Sequence, residues 1–478
     1  MASVQNGTSK ATRNVKGGRL ELLVPHILRG QLLRPGFVRL SLRLGVAQQM
    51  PPWAKLQFTN AGVGHGDLTR VLGRITSLGS WVDEWEALGR AHEQGAQDAL
   101  ALGRVAEASR RFVAASAAYN FAQYVIFLDI NRKRALHAAC VRAYAQAAPL
   151  LDPPARPFEV LFRRQLMRGY IRVPKGVRPA PVVVAFNGTN AVKEEMHWWA
   201  EGMLERGLAV VTFDGPGLGR SWNRLSMVAE PRPVGVAILD HLETWPELDA
   251  GAVAFMGLSL GGYLAIRMAS HDRRIKAVAA VSPPYSADIY WNVTLSSMRR
   301  ELAALYNLDE REMGAAIERI TLGGILPQLR RPLFLAAGGH DFVTPGTEAW
   351  RIFEDACCER EIVYYPRGAH DCFNVVSDLR PRLISWLARK LERHQRVRPP
   401  MEAPPPNGWM AAEAVDIDFA EALEGEVTRP VWTATPQETT TDPVRWSWPW
   451  GSRPTSRLEL IHRVAGPSLG LFDGESDS

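Results

Sequence analysis

Val253-Ala254-Phe255-Met256-Gly257-Leu258-Ser259-Leu260-Gly261-Gly262-Tyr263 is the stretch from which the rest of the chain is read. Val253 to Met256 are apolar throughout, as a strand buried on both faces should be. A glycine-bracketed turn around Ser259 follows, and then a helical run from Tyr263 to Ala269. Strand, tight turn and helix form the context that lifts a serine hydroxyl above a sheet, and the glycines permit the close backbone approach the turn requires. The start of the helix also points the Leu260 N–H toward an oxyanion forming beside Ser259. The competing reading is a glycine-rich turn with a structural role only.

A serine hydroxyl is a poor nucleophile at neutral pH and needs a base, which in turn needs an orienting acid. In the α/β-hydrolase fold these follow in the order serine, acid, histidine. Two downstream strand ends supply them. Asp341 lies in Gly339-His340-Asp341-Phe342-Val343-Thr344-Pro345, after the apolar run 332–337, and His370 lies in Gly368-Ala369-His370-Asp371-Cys372, after 361–365. His340 and Asp371 compete for the two roles. His340 precedes the acid, and Asp371 adjoins the histidine too closely in sequence to orient its ring. The oxyanion hole needs a second N–H from the loop after an early strand. Val182 to Phe186 runs into Asn187-Gly188-Thr189-Asn190, where Gly188 lets the backbone turn and the N–H of Thr189 or Asn190 faces Ser259, with Asn190 preferred. Asn187 is free to cap a turn instead. Asp214-Gly215-Pro216-Gly217-Leu218-Gly219 lacks both the phosphate-loop and the dinucleotide fingerprints and reads as a structural turn.

Outward from this centre, strands are expected at 166–173, 181–187, 208–213, 251–256, 276–281, 332–337 and 361–365, alternating with helical segments. That alternation predicts an α/β fold, a mostly parallel sheet with flanking helices, over 156–392. A helical insertion at 285–330 would sit over the carboxyl ends of the strands, where such sheets hold their sites. Residues 81–155 carry alanine, leucine and aromatic residues at helical spacing, with a turn at Gly103, and predict an N-terminal helical cap domain. Residues 101–108 are similar to one unit of a tetratricopeptide repeat, but no three successive units occur, which argues against a solenoid. Residues 1–80 form a basic extension, partly disordered or packed on the body, and 393–478 an acidic tail with Pro404-Pro405-Pro406 and the cluster Trp446, Trp448 and Trp450.

The 478 residues carry a net charge of +6, but unevenly. Residues 1–74 hold eleven Lys or Arg against two acids, whereas 401–478 hold five Arg against thirteen acids. This asymmetry argues for two solvated ends rather than a nucleic-acid partner. Four cysteines without regular spacing exclude a disulfide scaffold and a zinc site. No apolar run approaches the roughly 20 residues that span a bilayer, and no secretory signal is recognisable. The expectation is a cytoplasmic enzyme with a small-molecule acyl substrate, no metal, no nucleic acid, no stable membrane insertion, and compatible with a homodimer.

The set Asn187-Gly188, Lys193-Glu194-Glu195, Phe213-Asp214-Gly215-Pro216-Gly217-Leu218-Gly219, Gly257 to Gly262, His340-Asp341 and Gly368-Ala369-His370 resembles the 2,6-dihydroxypseudooxynicotine hydrolase-like branch of the α/β-hydrolases, a neighbour of the fermentation–respiration switch esterases and of fungal polyketide-shortening hydrolases. Trp85, Ala108, Tyr119, Phe121 and Ala122 look like that branch's helical domain, so the resemblance covers about 80–392. It implies a Ser259-Asp341-His370 triad, helices over the site and hydrolysis without a cofactor. Some members cleave a carbon–carbon bond beside a carbonyl and others cleave esters. The carbon–carbon cleavers can use an additional acid near the pocket, for which Asp288 is the nearest candidate. Tyr119, Tyr124, Tyr285 and Trp291 are the aromatic residues expected to meet a flat aromatic or polyketide-like substrate, or else to be ordinary core. Three activities follow: carbon–carbon hydrolysis of an acyl-aromatic or β-diketone compound, a carboxylesterase or thioesterase reaction, or partner binding around a vestigial site.

Overall fold

The computed structural model describes residues 40–392, apart from 51, 125–128, 190, 216–217, 220–227, 289–290, 292–298, 301–302, 304–305, 307 and 342, together with 431–434. Its helices are α1 (Pro52–Asn60), α2 (His65–Arg74), α3 (Leu78–Ala101), α4 (Val105–Gln123), α5 (Ile130–Ala147), α6 (His197–Leu204), α7 (Arg232–Leu242), α8 (Leu260–Ala269), α9 (Glu310–Ile317), α10 (Gly346–Asp355) and α11 (Val376–Glu392). Its strands are β1 (Arg156–Phe162), β2 (Gln165–Arg172), β3 (Ala180–Phe186), β4 (Ala209–Phe213), β5 (Leu248–Leu258), β6 (Ile275–Val281), β7 (Leu333–Gly338), β8 (Arg360–Tyr365) and β9 (Val431–Ala434). They form one sheet in the order β1-β2-β4-β3-β5-β6-β7-β8-β9. The run from β4 to β8 is parallel, while β1, β2 and β9 pair antiparallel at the margins. This is the α/β-hydrolase arrangement.

The apolar strands are explained by helices on both faces. Along β3, Val182, Val184 and Phe186 pack with Ile238 of α7 and Leu264 of α8, whereas Val183 and Ala185 pack with Met203 of α6 and Leu383 of α11. Successive side chains alternate between faces, and both faces are dry, so no polar alternation is needed.

The N-terminal helices form a separate core. Ser77 caps α3 by accepting the Ser80 N–H at 3.0 Å while its own N–H donates to Ser80 Oγ at 2.9 Å, a reciprocal cap that fixes the helix start. Phe58 of α1 stacks on Trp85 of α3, with ring centres 5.2 Å apart, and meets Phe121 of α4 edge-on at 4.6 Å. Leu42, Leu68, Val71 and Leu72 join the same core. The described part of the basic extension, from residue 40 onward, therefore packs as one unit with the cap, and the boundary expected at 80 falls inside α3.

Two strands lie outside the sequence expectation. β1 starts at Arg156-Pro157, where the proline signals a break; Pro157 is tolerated because β1 is an edge strand, and only Phe158 and Val160 face inward. β9 is a short piece of the C-terminal segment paired with β8 from Val363↔Val431 to Arg360↔Ala434. Trp446, Trp448 and Trp450 lie outside the described residues. Among those described, no helix is long and apolar enough to cross a membrane.

Candidate active site

Ser259 stands between β5 and α8 with φ 50° and ψ −122°, a conformation that an L-residue holds only when its surroundings impose it. Its N–H donates to the Val281 carbonyl at 2.8 Å, tying the turn to the end of β6. Behind it, a Cβ on Gly261 would lie 2.5 Å from the Asn187 carbonyl oxygen, so only glycine lets α8 press against the end of β3. That contact brings the following loop to the serine: a Cβ on Gly188 would lie 3.4 Å from Ser259 Cβ. Asn187 lines the cavity and also shapes the loop. Its Nδ2 donates to the Ala191 carbonyl at 2.6 Å, and its Oδ1 accepts the Gly215 N–H at 3.2 Å. Leu260 opens α8, so its N–H has no acceptor within the helix. Gly188 and Thr189 line the cavity beside Ser259, whereas Asn190 lies outside the described residues.

Asp341 and His370 sit on the loops after β7 and β8. A Cβ on Gly338 would run into the Gly368 carbonyl, and the His340 N–H donates to that same oxygen at 2.9 Å, so the two loops are locked together. His370 Nδ1 lies 2.9 Å from Asp341 Oδ2 and 3.0 Å from Oδ1. Asp341 Oδ1 also accepts the N–H groups of Val343 at 2.9 Å and Thr344 at 2.7 Å. The Asp341 side chain is 0% exposed and that of His370 is 24% exposed, so the carboxylate is dry and held while the ring edge stays reachable. A carboxylate only accepts, which makes Nδ1 the donor and Nε2 the accepting nitrogen of the neutral ring. The His340 side chain is exposed.

Asp371 takes an unexpected place. With φ 54° it turns back, donates its N–H to Ser282 Oγ at 3.1 Å, and sets its carboxylate 3.6 Å from His370 Nε2. Burial pushes its carboxyl up to about 6, with His370 opposing and Asp341 adding to the rise.

Ser259, His370 and Asp371 open on one cavity of about 500 Å³. Its wall also draws on the cap and on the segment Lys193–Met196, and includes Gln57, Asn60, Tyr124 and Glu195. Glu195 accepts from Tyr124 Oη at 2.6 Å and from Asn120 Nδ2 at 3.1 Å. Burial raises the Glu195 carboxyl against those two hydrogen bonds. Behind it, Lys193 is buried with Nζ 2.6 Å from Glu194 and 3.4 Å from Asp214, and its N–H donates to Asp214 at 2.9 Å. The Asp214 turn is thus an anchor for the element that presents Glu195.

Of the aromatic residues expected to meet substrate, only Tyr124 lines the cavity. Tyr119 belongs to the cap core and donates to Glu93. Tyr285 donates to Asp355 at 2.7 Å beneath the Arg351 guanidinium, and Trp291 lies 5.8 Å from the Arg299 guanidinium. Asp288, the expected additional acid, is half-buried away from the cavity, and the carboxyls that face it are those of Glu195 and Asp371. Glu195 stood within the motif that carried the resemblance. Gln57 and Asn60 had no such signal, because they precede the resemblance altogether.

A family model for FrsA-like esterases matches residues 55–306, more than half of the chain. The chain belongs to the FrsA-like esterase family. A second model, for acetyl xylan esterase (AXE1), matches residues 234–389 of this FrsA-like chain. The chain is 29% identical over 368 residues to the 2,6-dihydropseudooxynicotine hydrolase of Paenarthrobacter nicotinovorans, covering 75% of this chain and 97% of that protein. The crystal structure of the 2,6-dihydroxy-pseudo-oxynicotine hydrolase matches with a TM-score of 0.64 at 27% identity, over 73% of this chain and 99% of that one. The 20-hydroxy-prefusarin hydrolase of Gibberella moniliformis is 30% identical over 239 residues, 47% of this chain and 57% of that protein. The FrsA-like chain is therefore a hydrolase of the α/β family, related to carbon–carbon hydrolases and esterases.

Proposed function

We propose that this enzyme is a serine hydrolase in which Ser259 attacks a substrate carbonyl, His370 takes the serine proton and Asp341 holds the imidazole. The observation that supports this best is the paired contact of His370 Nδ1 with both Asp341 oxygens at the edge of the cavity containing Ser259. The backbone N–H groups of Leu260 and of the 188–190 loop take the oxyanion. Collapse breaks the acyl bond, and His370 passes the proton to the leaving group. His370 then deprotonates a water that releases the acyl group from Ser259 as a carboxylic acid.

The bond cleaved is a carbon–carbon bond beside a carbonyl, in an aromatic or polyketide-like compound. The likeness to a pseudooxynicotine hydrolase over three quarters of the chain supports this, as does a cavity large enough for a ligand of that size. The second reading, ester cleavage by the same residues, is favoured by the two esterase family models. A panel of aryl esters and β-diketones separates the two, since rapid ester turnover with inert diketones would remove the first. Intact-mass analysis after treatment with a fluorophosphonate tests the serine itself. A folded protein that gains no adduct at Ser259 would leave the cavity as a binding site only.

A further inference from the structure

The cavity wall includes a helix that no family motif drew attention to. α1 turns Gln57 and Asn60 onto the cavity, at the i, i+3 spacing that puts both on one helix face, and Ala61 follows just past its end. Phe58 points the other way, into the cap core against Trp85 and Phe121, so the presentation of that face is anchored. α1 also packs against the segment His370–Val375, which begins with the proposed base.

The amides of Gln57 and Asn60 are half-buried, and neither has a hydrogen-bond partner among the described residues. An amide offers two donors and an acceptor, and leaving these unmet where water is being displaced costs free energy unless a ligand meets them. Among the described residues no Lys or Arg lines the cavity, and the ionisable groups that do are His370, Asp371, Glu195 and Tyr124. Among the described lining residues, an anionic substituent would find carboxylates and no counter-charge. A neutral oxygen substituent, a hydroxyl or a carbonyl, would find two amides able to donate and accept.

We infer that Gln57 and Asn60 form a specificity subsite that reads neutral hydroxyl or carbonyl groups on the part of an uncharged acyl substrate remote from the bond broken. This inference rests on the serine-hydrolase reading of the same cavity. Sites that hydrogen-bond a substrate oxygen discriminate strongly against analogues lacking it, because their own polar groups are then left unmet.

The test uses para-nitrophenyl esters of phenylpropanoate in four forms: unsubstituted, para-hydroxylated, para-carboxylated and para-aminomethylated. In the full chain the hydroxylated ester should exceed the unsubstituted one in kcat/KM by about tenfold, with the carboxylated ester the poorest. In the double variant Gln57→Leu, Asn60→Leu that preference should vanish, while fluorophosphonate labelling of Ser259 proceeds at the unaltered rate. A second variant, Gln57→Glu, should instead favour the para-aminomethyl ester. Retention of the hydroxyl preference by the leucine variant, at unaltered labelling, overturns the subsite. If the full chain neither labels nor turns over ester, the hydrolase reading fails. The subsite is then judged by calorimetric binding of the matching phenylpropanamides to Ser259→Ala, where equal affinities for the bare and hydroxylated amides overturn it.

Discussion

On one side of the cavity, the groups proposed for chemistry hang on backbone that has no room to move. Gly261 abuts the carbonyl of Asn187, Gly338 abuts that of Gly368, and Ser259 and Asp371 hold positive φ angles between them. On the other side, α1 and α4 present Gln57, Asn60 and Tyr124 from helices held by aromatic packing, Phe58 on Trp85 and Phe121 on Tyr124. Reacting atoms must be placed to fractions of an ångström, and fixed turns at strand ends do that. A helix face can exchange side chains without moving its backbone. On the proposed reading, the bond-breaking step belongs to the sheet edge and the choice of substrate to the cap.

The largest test of this division is Ser259→Ala, which should lower kcat on an activated ester by about 10⁵–10⁶-fold while circular dichroism stays unchanged. Asp341→Asn should follow, with a fall of about 10³–10⁴-fold in kcat at neutral pH, because the amide no longer holds the imidazole with Nδ1 as donor. Phe58→Ala acts on the other wall. Emptying a site that is 1% exposed should cost about 3–5 kcal/mol in chemical denaturation, yet Ser259 should still take up fluorophosphonate below the transition. Equal loss of labelling and of the cap would break the division. Tyr124→Phe removes one donor to Glu195 and should cost about threefold to tenfold in kcat/KM, expressed in KM more than in kcat. The smallest effect concerns Asp371. When ionised it lies 3.6 Å from Nε2 and favours the imidazolium, so Asp371→Asn should move the acid limb of the kcat/KM profile toward lower pH.

Asp371 also has a stability consequence with a definite sign. Its folded carboxyl is raised to about 6 by burial, above its ordinary 3.8, so the folded state binds more protons between those values. Its contribution to stability is therefore present at low pH and lost as pH rises through about 6. Thermal melts should show Asp371→Asn gaining on the parent chain as pH rises from about 4 to about 6, and holding level with that gain above it.

The sheet edge was legible because its chemistry is written in contiguous motifs. The serine turn, the Asp341 loop and the His370 loop each follow an apolar strand, and the order of the three reports the fold. The cap wall was legible only as helices. Tyr119 and Tyr124 lie on successive turns of one pattern, and nothing in their spacing tells that one meets the core and the other the cavity. Tyr285, Trp291 and Asp288 were placed by nearness in sequence to a strand end, but the chain turns them away toward α9 and α10. Asp371 was set aside because neighbours seldom orient one another. It does not orient the ring, yet its left-handed backbone brings its carboxylate to the ring's other nitrogen. β1 was hidden by its proline, and β9 by the proline-rich acidic sequence around it.

β9 has a consequence for the molecule among its own copies. A parallel sheet that ended at β8 would present a row of unpaired backbone donors and acceptors, and such a row is a template for joining strands from other chains. Val431–Ala434 occupies that row over Arg360–Val363, so the polypeptide ends its sheet on a strand of only four residues drawn from beyond residue 392, and a short edge is a poorer template. A chain shortened at Glu392 would keep Ser259, Asp341 and His370 in full and still be a stickier protein.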